Sequence, residues 1–561
     1  VQGWGCTKKE FPSRDGGALI PTYSIEAEEH EEYIVPKRVG FYDGNGGYHE
    51  FEGDDPIWRF LTFVRTNYHG ISIYANNAID TDHKILINCL ARHGERIKMD
   101  GGMSKIKWPR GEVTFLDSYS MMAMSLNKAA RAMDVPRKAE GEWTPNELTC
   151  KTLSKTLDAF YDLLFNTFGV EPSSTISLTS VKIFDRNFYQ MKGIHHNQDF
   201  EACIRQATFA GRNEVYTRMG ENVNLYDIRG NYISCYDVPV PVGKLVWVQP
   251  NLERGTLAEA RAYVPERFVV GPLPYRIDGK LGFPVGHLHG WWDTRELKFA
   301  AELGCDVELI RQLGGHEEPA LAEFGRDICR LRDEAEYGMD NPDLGGMWKT
   351  IGLRLCGKLG QNREKAETKH VREIEDRDGW YPLDETETYY EKHTLQEGSR
   401  MPFVKPAVNM RIRAEARIRH ARFLLEAIKL GGKVYYCDTD SVYTDSFLPT
   451  GKGHGELQLK DWAQDIYIIK CKTYGYVDKA GVMVQRTAGF RDVALTEKEF
   501  KEILGTGRVL ASWKCNSGWK RSLDGHMKAQ KRQMSIQDDL DLGNRILLEN
   551  NVDTAPMNMR E

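Results

Sequence analysis

The sequence predicts a multidomain chain of mixed α/β and α+β type, and three features lead to that reading. Its 561 residues leave room for about three or four domains. The stretch Val434-Tyr-Tyr-Cys-Asp-Thr-Asp-Ser-Val-Tyr443 has the β-propensity of a short hairpin. An amphipathic pattern from Asn409 to Ile428, closed by Gly431-Gly432, predicts a long helix leading into it, with most of its arginines on a solvated face. Composition fits a globular chain, at 41% hydrophobic and 28% charged. A net charge of −6 argues against wholesale coating by nucleic acid, so any contact with it must come from local basic patches. The 11 cysteines are scattered without a Cys-x-x-Cys pair, which suggests neither a zinc site nor a disulfide framework. No apolar run approaches the ~18 residues of a membrane span and no signal peptide is visible, so an intracellular, non-secreted protein without membrane contact is expected.

The hairpin carries Asp438 and Asp440. Residues two apart on a strand share a face, so both carboxylates are expected to aim into one small volume, with the turn at Asp438-Thr439. Two like charges held close raise each other's pKa unless a cation sits between them, and a hard divalent ion such as Mg²⁺ suits oxygen ligands. An isolated Asp-x-Asp is equally often an exposed turn. A third acid changes the balance: Asp227 ends the apolar stretch Val223 to Ile228, before a tight turn at Arg229-Gly230 and a second apolar run containing Tyr232.

Asp227 followed at five residues by Tyr232, and some two hundred residues later by Tyr-x-Asp-Thr-Asp-Ser, resembles the first and third polymerase motifs of family B DNA polymerases. The resemblance implies two-metal phosphoryl transfer, with two Mg²⁺ ions (Mn²⁺ as a substitute) held by Asp227 and Asp440 while Asp438 tunes the field. Ile228 would adjoin the nucleotide. Tyr232 would lie under its sugar and exclude a ribose 2′-hydroxyl; taken alone it reads as a packed core aromatic. The second motif of the family is Lys-x-x-x-Asn-Ser-x-Tyr-Gly, and Lys349 and Gly357 keep its spacing. Leu353, Arg354 and Cys356 replace its Asn, Ser and Tyr, so Lys349 is expected to meet the triphosphate without the usual neighbours. Arg354 is either an extra phosphate ligand or a surface residue. Lys472-Thr473-Tyr474 resembles the Lys-x-Tyr motif that contacts the primer terminus.

Spacing narrows the resemblance. About 130 residues separate Asp227 from Gly357, and about 40 separate Asn362 from the arginine-rich helix. Protein-primed replicases of phages, adenoviruses and linear plasmids carry insertions at both places. The expected division is an exonuclease-like domain over 1–200, the start of a palm over 201–252, and an insertion contacting a terminal protein over 253–336. Fingers follow over 337–362, a strand-displacement insertion over 363–402, the palm with its metal hairpin over 403–490, and a thumb over 491–561. Thr208-Phe-Ala-Gly-Arg212 resembles the linker between exonuclease and polymerase domains, with Thr208 in place of its Tyr. Lys514 to Arg532, with Trp513 and Trp519, is the basic stretch expected to lie along the duplex. The chain starts at Val1 without Met, which fits cleavage or fusion; some linear-plasmid relatives carry the terminal protein as an amino-terminal extension, and a lost extension is one reading of that start.

By the same resemblance the amino-terminal third is an RNase H-like exonuclease-type domain, but a degenerate one. The Asp-x-Glu of relatives corresponds to Ser24 and Glu26. The second acid falls on Asp82 in preference to Asp80, counted back from the apolar run Ile85 to Leu90. The last motif falls on Thr149 and Leu153. Two of four metal-binding acids are thus replaced by residues that ligate Mg²⁺ poorly or not at all, and weak or absent proofreading is expected.

The function implied is a template-directed DNA polymerase acting on primer-template DNA and deoxynucleoside triphosphates, primed by a terminal protein, in replication of a viral or linear-plasmid genome. The rivals are a primer-independent family B polymerase, a reverse transcriptase and a non-catalytic nucleic-acid-binding or packaging protein.

Overall fold

A computed structural model describes residues 20–30, 33–100, 105–137, 143–361, 364–370, 374, 381–382, 389–395, 402–487, 495–506, 512–521, 527–535 and 544–560. The expectation attached to Val1 lies outside them.

The amino-terminal region is built on Thr22–Glu29, antiparallel to Tyr33–Tyr42 and parallel to Ser72–Ala75, which is in turn parallel to Val113–Asp117. Parallel strands need crossover connections, and these are helical: Pro56–Asn67 and Asp82–Arg92. Pro56 sits at the start of the first helix, where its missing N–H costs nothing, and Asp55 caps it by accepting from the Trp58 amide at 3.2 Å. Val39, Phe41, Phe60, Leu61, Ile73 and Phe115 form the core between sheet and helices. The helix Pro145–Phe168 starts at a Thr144 cap and ends at Gly169, whose φ of 65° is the left-handed stop that glycine tolerates.

The palm is an antiparallel sheet. Among the described residues its strand order is Met483–Thr487, Thr473–Val477, Leu457–Lys470, Met219–Ile228, Ser441–Thr444, Val434–Asp438 and Asn213–Val215. The predicted helix is present as Pro406–Lys429 and lies across this sheet. Two of its arginines depart from the expected solvated face. Arg411 is 1% exposed and bonds Asp293 and Glu317 at 2.6 Å each; Arg417 is 3% exposed and bonds Glu296 at 2.8 Å. These anions lie about a hundred positions earlier in the chain, where helical periodicity cannot reveal them. Removing one partner of such a buried pair strands a charge and typically costs about 3–5 kcal/mol.

The span expected for the first insertion, 253–336, supplies the three inner strands of a five-stranded sheet in the order Val246–Val248, Asp306–Gly314, Leu257–Val264, Val285–Asp293 and Asn558–Met559. Its last strand comes from the end of the chain, so residues 544–560 return to the palm and insertion, outside the thumb expected over 491–561. Arg545 there is buried, 3.4 Å from Glu214 and bonded to Thr554 at 2.8 Å. The helix Ala322–Asp333, within the span expected for the insertion, shares a core with the fingers helix Pro342–Leu359 through Phe324, Ile328, Ile351 and Leu355. In the span expected for the second insertion, Glu364–His370, Tyr389–Leu395 and Tyr381–Pro382 pair as an antiparallel three-stranded sheet. The carboxy-terminal hairpin Ser512–Arg521 and Met527–Ser535 joins the amino-terminal sheet, with Ile34 opposite Met527. The basic and tryptophan side chains predicted to follow a duplex belong to that hairpin and lie outside the described side chains. No helix of the described residues is long and apolar enough to cross a membrane.

Candidate active site

The palm sheet brings Asp227, on the strand Met219–Ile228, beside Asp440, in the turn that leads into the neighbouring strand Ser441–Thr444. Asp227 pairs in register with Ser441 on one side and Gln458 on the other. The Ile228 amide donates to the Asp440 carbonyl at 2.7 Å. The turn is Thr439-Asp440, one residue later than expected, because Asp438 pairs with Ser441 and Thr439 adopts a φ of 61°. Strand alternation therefore stops at Thr439 and does not by itself set the two hairpin acids on one face. Asp440 has both Asp227 and Asp438 as repulsive neighbours, and Asp438 also pairs with Lys472. Among the described residues, the three acids are not a group whose oxygens all lie within 4.8 Å of one another.

The turn is held by the domain linker. The Thr439 amide donates to the Arg212 carbonyl at 2.7 Å. A Cβ on Gly211 would lie 2.8 Å from the Thr439 hydroxyl oxygen, so glycine is what allows the linker to approach. Arg212 is itself 1% exposed, bonded to Glu214 at 2.6 Å and Tyr216 at 3.3 Å. Thr208, at the position of the family's linker Tyr, bonds back to Ile204 at 2.7 Å.

Electrostatics mark the acid pair. Burial pushes Asp440 up to about 6, Asp227 and Asp438 add to the shift by repulsion, and Lys349 opposes it. Burial also raises Asp227, against the positive charges of Lys349, Lys460 and Arg332. A pair of desolvated carboxylates facing each other has the donor set and the unmet charge that a hard divalent ion satisfies, so these residues fit Mg²⁺.

Of the other predicted residues, Lys349 lies on Pro342–Leu359 with its charge acting on both acids. Arg354 is exposed. Five residues along a helix turn it about 140° from Lys349, which favours the surface reading. The Ile228 side chain is fully buried and its N–H is taken by Asp440, which leaves only its carbonyl for a substrate. Tyr232 follows the Arg229-Gly230 turn, packs against the fingers core, and has Cys356, Arg413, Arg417 and Asp440 as electrostatic neighbours. Cys356, in place of the motif's Tyr, is buried; its N–H donates at 3.2 Å to Tyr236, whose hydroxyl bonds the Gly352 carbonyl at 2.6 Å. Lys472 occupies the tight turn before Thr473–Val477 at φ 62° and pairs with Asp438. Its amide donates to the Tyr436 hydroxyl at 3.0 Å, and Tyr474 shares a 2.8 Å hydrogen bond with Tyr443.

Two basic residues near Asp227 escape sequence reasoning. Lys460 follows Gln458, the register partner of Asp227, on the next strand, and was visible only as part of a motif flank. Arg332 lies on Ala322–Asp333, bonds Glu336 through Nε at 2.7 Å, and keeps a buried Nη1 without a partner. Beside it Arg229, 3% exposed, bonds Asp333 at 2.6 Å and Glu336 at 2.8 Å, tying the turn after Asp227 to the fingers.

In the amino-terminal domain Ser24, Asp82 and Thr149 line one cavity of about 240 Å³, together with Tyr23, Asn76 and Arg137. Asp82 is pushed up to about 7 by burial, with Asp117 adding repulsion. Asp80 is instead exposed and bonds Asn77 at 2.9 Å. Leu153 is fully buried in the apolar core. Glu26 is half-exposed, 3.4 Å from Arg38 on the adjacent strand, and is not among the lining residues.

Comparison with known proteins agrees with this architecture. The family model for DNA polymerase type B, organellar and viral, matches residues 147–402. A probable DNA polymerase of Podospora anserina is 22% identical over 466 residues, which covers 72% of this chain and 38% of the relative. Another, of Neurospora intermedia, is 22% identical over 390 residues, covering 60% and 38%. The chain thus spans under two fifths of the length of these curated relatives. Among solved structures, Phi29 DNA polymerase in a ternary complex with primer-template DNA and incoming nucleotide superposes with a TM-score of 0.71 at 15% identity, over 93% of this chain and 100% of that one. The fold is therefore an exonuclease-type domain followed by palm, fingers and thumb, and residues 147–402 resemble the organellar and viral type B DNA polymerases.

Proposed function

We propose that the protein is a template-directed DNA polymerase that transfers deoxynucleotides to a primer terminus by two-metal phosphoryl transfer. The observation that carries this is the pair Asp227 and Asp440, one on a palm strand and the other in the turn bonded to it, under the charge of Lys349. These two carboxylates would hold the divalent ions, Mg²⁺ or Mn²⁺. When bound, the ions supply a more acidic primer hydroxyl and neutralise charge on the triphosphate and its leaving pyrophosphate. Lys349 draws the triphosphate to the acid pair, and Arg332 is placed to add a second cation from the fingers. Tyr232, anchored in the fingers core, supports the sugar and excludes a 2′-hydroxyl. Lys472 and Tyr474 hold the primer end against the hairpin. Lys472 also keeps Asp438 charge-compensated, so that its carboxylate modulates the site at low cost.

Priming by a terminal protein is the finer part of the proposal, supported by the two insertions between the polymerase motifs. The first would take the terminal protein, and the second would help enclose template and part the duplex. The amino-terminal cavity retains Asp82 but not the acids that Ser24 and Leu153 replace, which supports weak or absent proofreading.

The test is incorporation on four primed templates that differ at one templating base, with Mg²⁺ and each deoxynucleotide in turn. The reading expects each template to direct its complement and no extension without a divalent ion. A protein that binds the templates but extends none would be the non-catalytic alternative. A labelled nucleotide becoming covalently attached to a partner protein would identify protein priming.

A further inference from the structure

On the outer side of the amino-terminal domain, Cys89 lies on the helix Asp82–Arg92 and His93, four residues on, caps its carboxy-terminal end, so the two stand about one turn apart. Asp55, at the start of Pro56–Asn67, faces them. One ligand atom from each of the three lies within 4.8 Å of the others. The Cys89 sulfur is 3.7 Å from Asp55 Oδ1, and His93 Nε2 is 3.2 Å from Asp55 Oδ2. Cys89 is 1% exposed, whereas Asp55 and His93 are each about a third exposed, so the group opens to solvent on one side. Asp55 and Cys89 also border a cavity of about 280 Å³ that has room for a further water ligand.

We propose that Asp55, Cys89 and His93 form a site for a borderline-soft divalent transition ion, Zn²⁺ above all, distinct from the Mg²⁺ chemistry of the palm. Sulfur, imidazole and carboxylate ligands together favour zinc over magnesium, and an open fourth position suits a water. Coordination converts the Cys89 thiol to thiolate and releases its proton to solvent, while His93 ligates through Nε2 as the neutral imidazole. One thiolate and one carboxylate then balance the double charge of the ion. Arg92, whose guanidinium lies 3.5 Å from Asp55 Oδ2, is half-exposed and swings outward as the ion takes over its charge. The ion would clamp the two crossover helices of the domain, a structural role. The sequence signal is Cys-x-x-x-His at helical spacing, which a search for Cys-x-x-Cys pairs passes over.

The site carries its own reporter. The Trp58 ring stacks on His93 with centroids 3.7 Å apart and 5° between planes. The experiment titrates Co²⁺ into the full-length chain in saturating Mg²⁺, which fills sites made of carboxylates alone. The expected result is a thiolate-to-cobalt charge-transfer band that saturates at one ion per chain, quenching of Trp58 emission in parallel, and loss of the band on adding Zn²⁺. Cys89→Ser should remove the band. His93→Ala, at an exposed position that folding tolerates, should weaken Co²⁺ binding at least about tenfold. No band in the wild-type chain, or a band that survives unchanged in Cys89→Ser or His93→Ala, overturns the proposal. If Cys89→Ser fails to fold, the His93→Ala titration decides.

Discussion

The backbone amide of Ile228 donates a 2.7 Å hydrogen bond to the carbonyl of Asp440. The residue after one acid thereby fixes the backbone of the other, so the turn that carries Asp440 is tied to the strand that carries Asp227.

The pH dependence of stability follows from Asp440. Its folded pKa of about 6 lies above the ordinary carboxylate value, chiefly through burial and then through Asp227. Without divalent ions the folded state therefore holds a proton that the unfolded chain has already lost. The contribution of Asp440 to stability falls as pH rises from about 4 to about 6, by at most roughly 3 kcal/mol, and changes no further above. Thermal melts in chelator should show this fall in wild type and a smaller one in Asp440→Asn. At pH 7 the variant should melt higher than wild type, and Mg²⁺ should raise the melting temperature of wild type far more than that of the variant.

Lys472 pairs with Asp438 and lies in the turn proposed to hold the primer end. Because its side chain is more than half exposed, Lys472→Ala should change stability by no more than about 1 kcal/mol. Incorporation should instead suffer in primer-terminus affinity, read as a raised KM for primer-template with a smaller loss in kcat. An equal loss of activity at all primer concentrations would assign the effect to Asp438 alone.

Much of this site was legible in the chain. The acids stand out because charged residues interrupt strongly apolar strands, and Lys349 because its spacing to Gly357 survives when its neighbours do not. What the sequence hid is what depends on distant partners. Arg411 and Arg417 look like helix-surface residues until Asp293, Glu296 and Glu317 close on them. Likewise, Lys472 gives no sign of Asp438, nor Arg332 of Asp227. The turn was misread by one residue because Thr439 takes a left-handed conformation for which threonine has little preference. In the amino-terminal domain the choice of Asp82 agrees with the cavity it shares with Ser24. Glu26 instead meets Arg38 beside a strand irregularity at Glu26/Ala27, where simple alternation fails.

Tyr232 should discriminate sugars. Replacing it with Ala removes the ring expected to meet a 2′-hydroxyl, so the ratio of deoxyribonucleotide to ribonucleotide kcat/KM should drop by about tenfold or more, equivalent to roughly 1.4 kcal/mol. An unchanged ratio would leave Tyr232 as a core aromatic only.

Proofreading should be weak. With 5′-labelled single-stranded DNA, Mg²⁺ and no nucleotides, 3′→5′ shortening should be orders of magnitude slower than extension, since too few carboxylates remain to hold two ions. Rapid shortening abolished by Asp82→Ala would mean that the cavity beside Ser24 is a working exonuclease site.

The central claim is that Asp227 and Asp440 together carry the chemistry. Its most direct measurement is the single-turnover rate of one-nucleotide incorporation, with Mg²⁺, for wild type, Asp227→Asn and Asp440→Asn at matched DNA occupancy. The account predicts that each substitution, nearly isosteric but unable to hold the ions, lowers the rate at least about a hundredfold (roughly 2.7 kcal/mol) with primer-template affinity little changed. A loss below tenfold in either variant would contradict it.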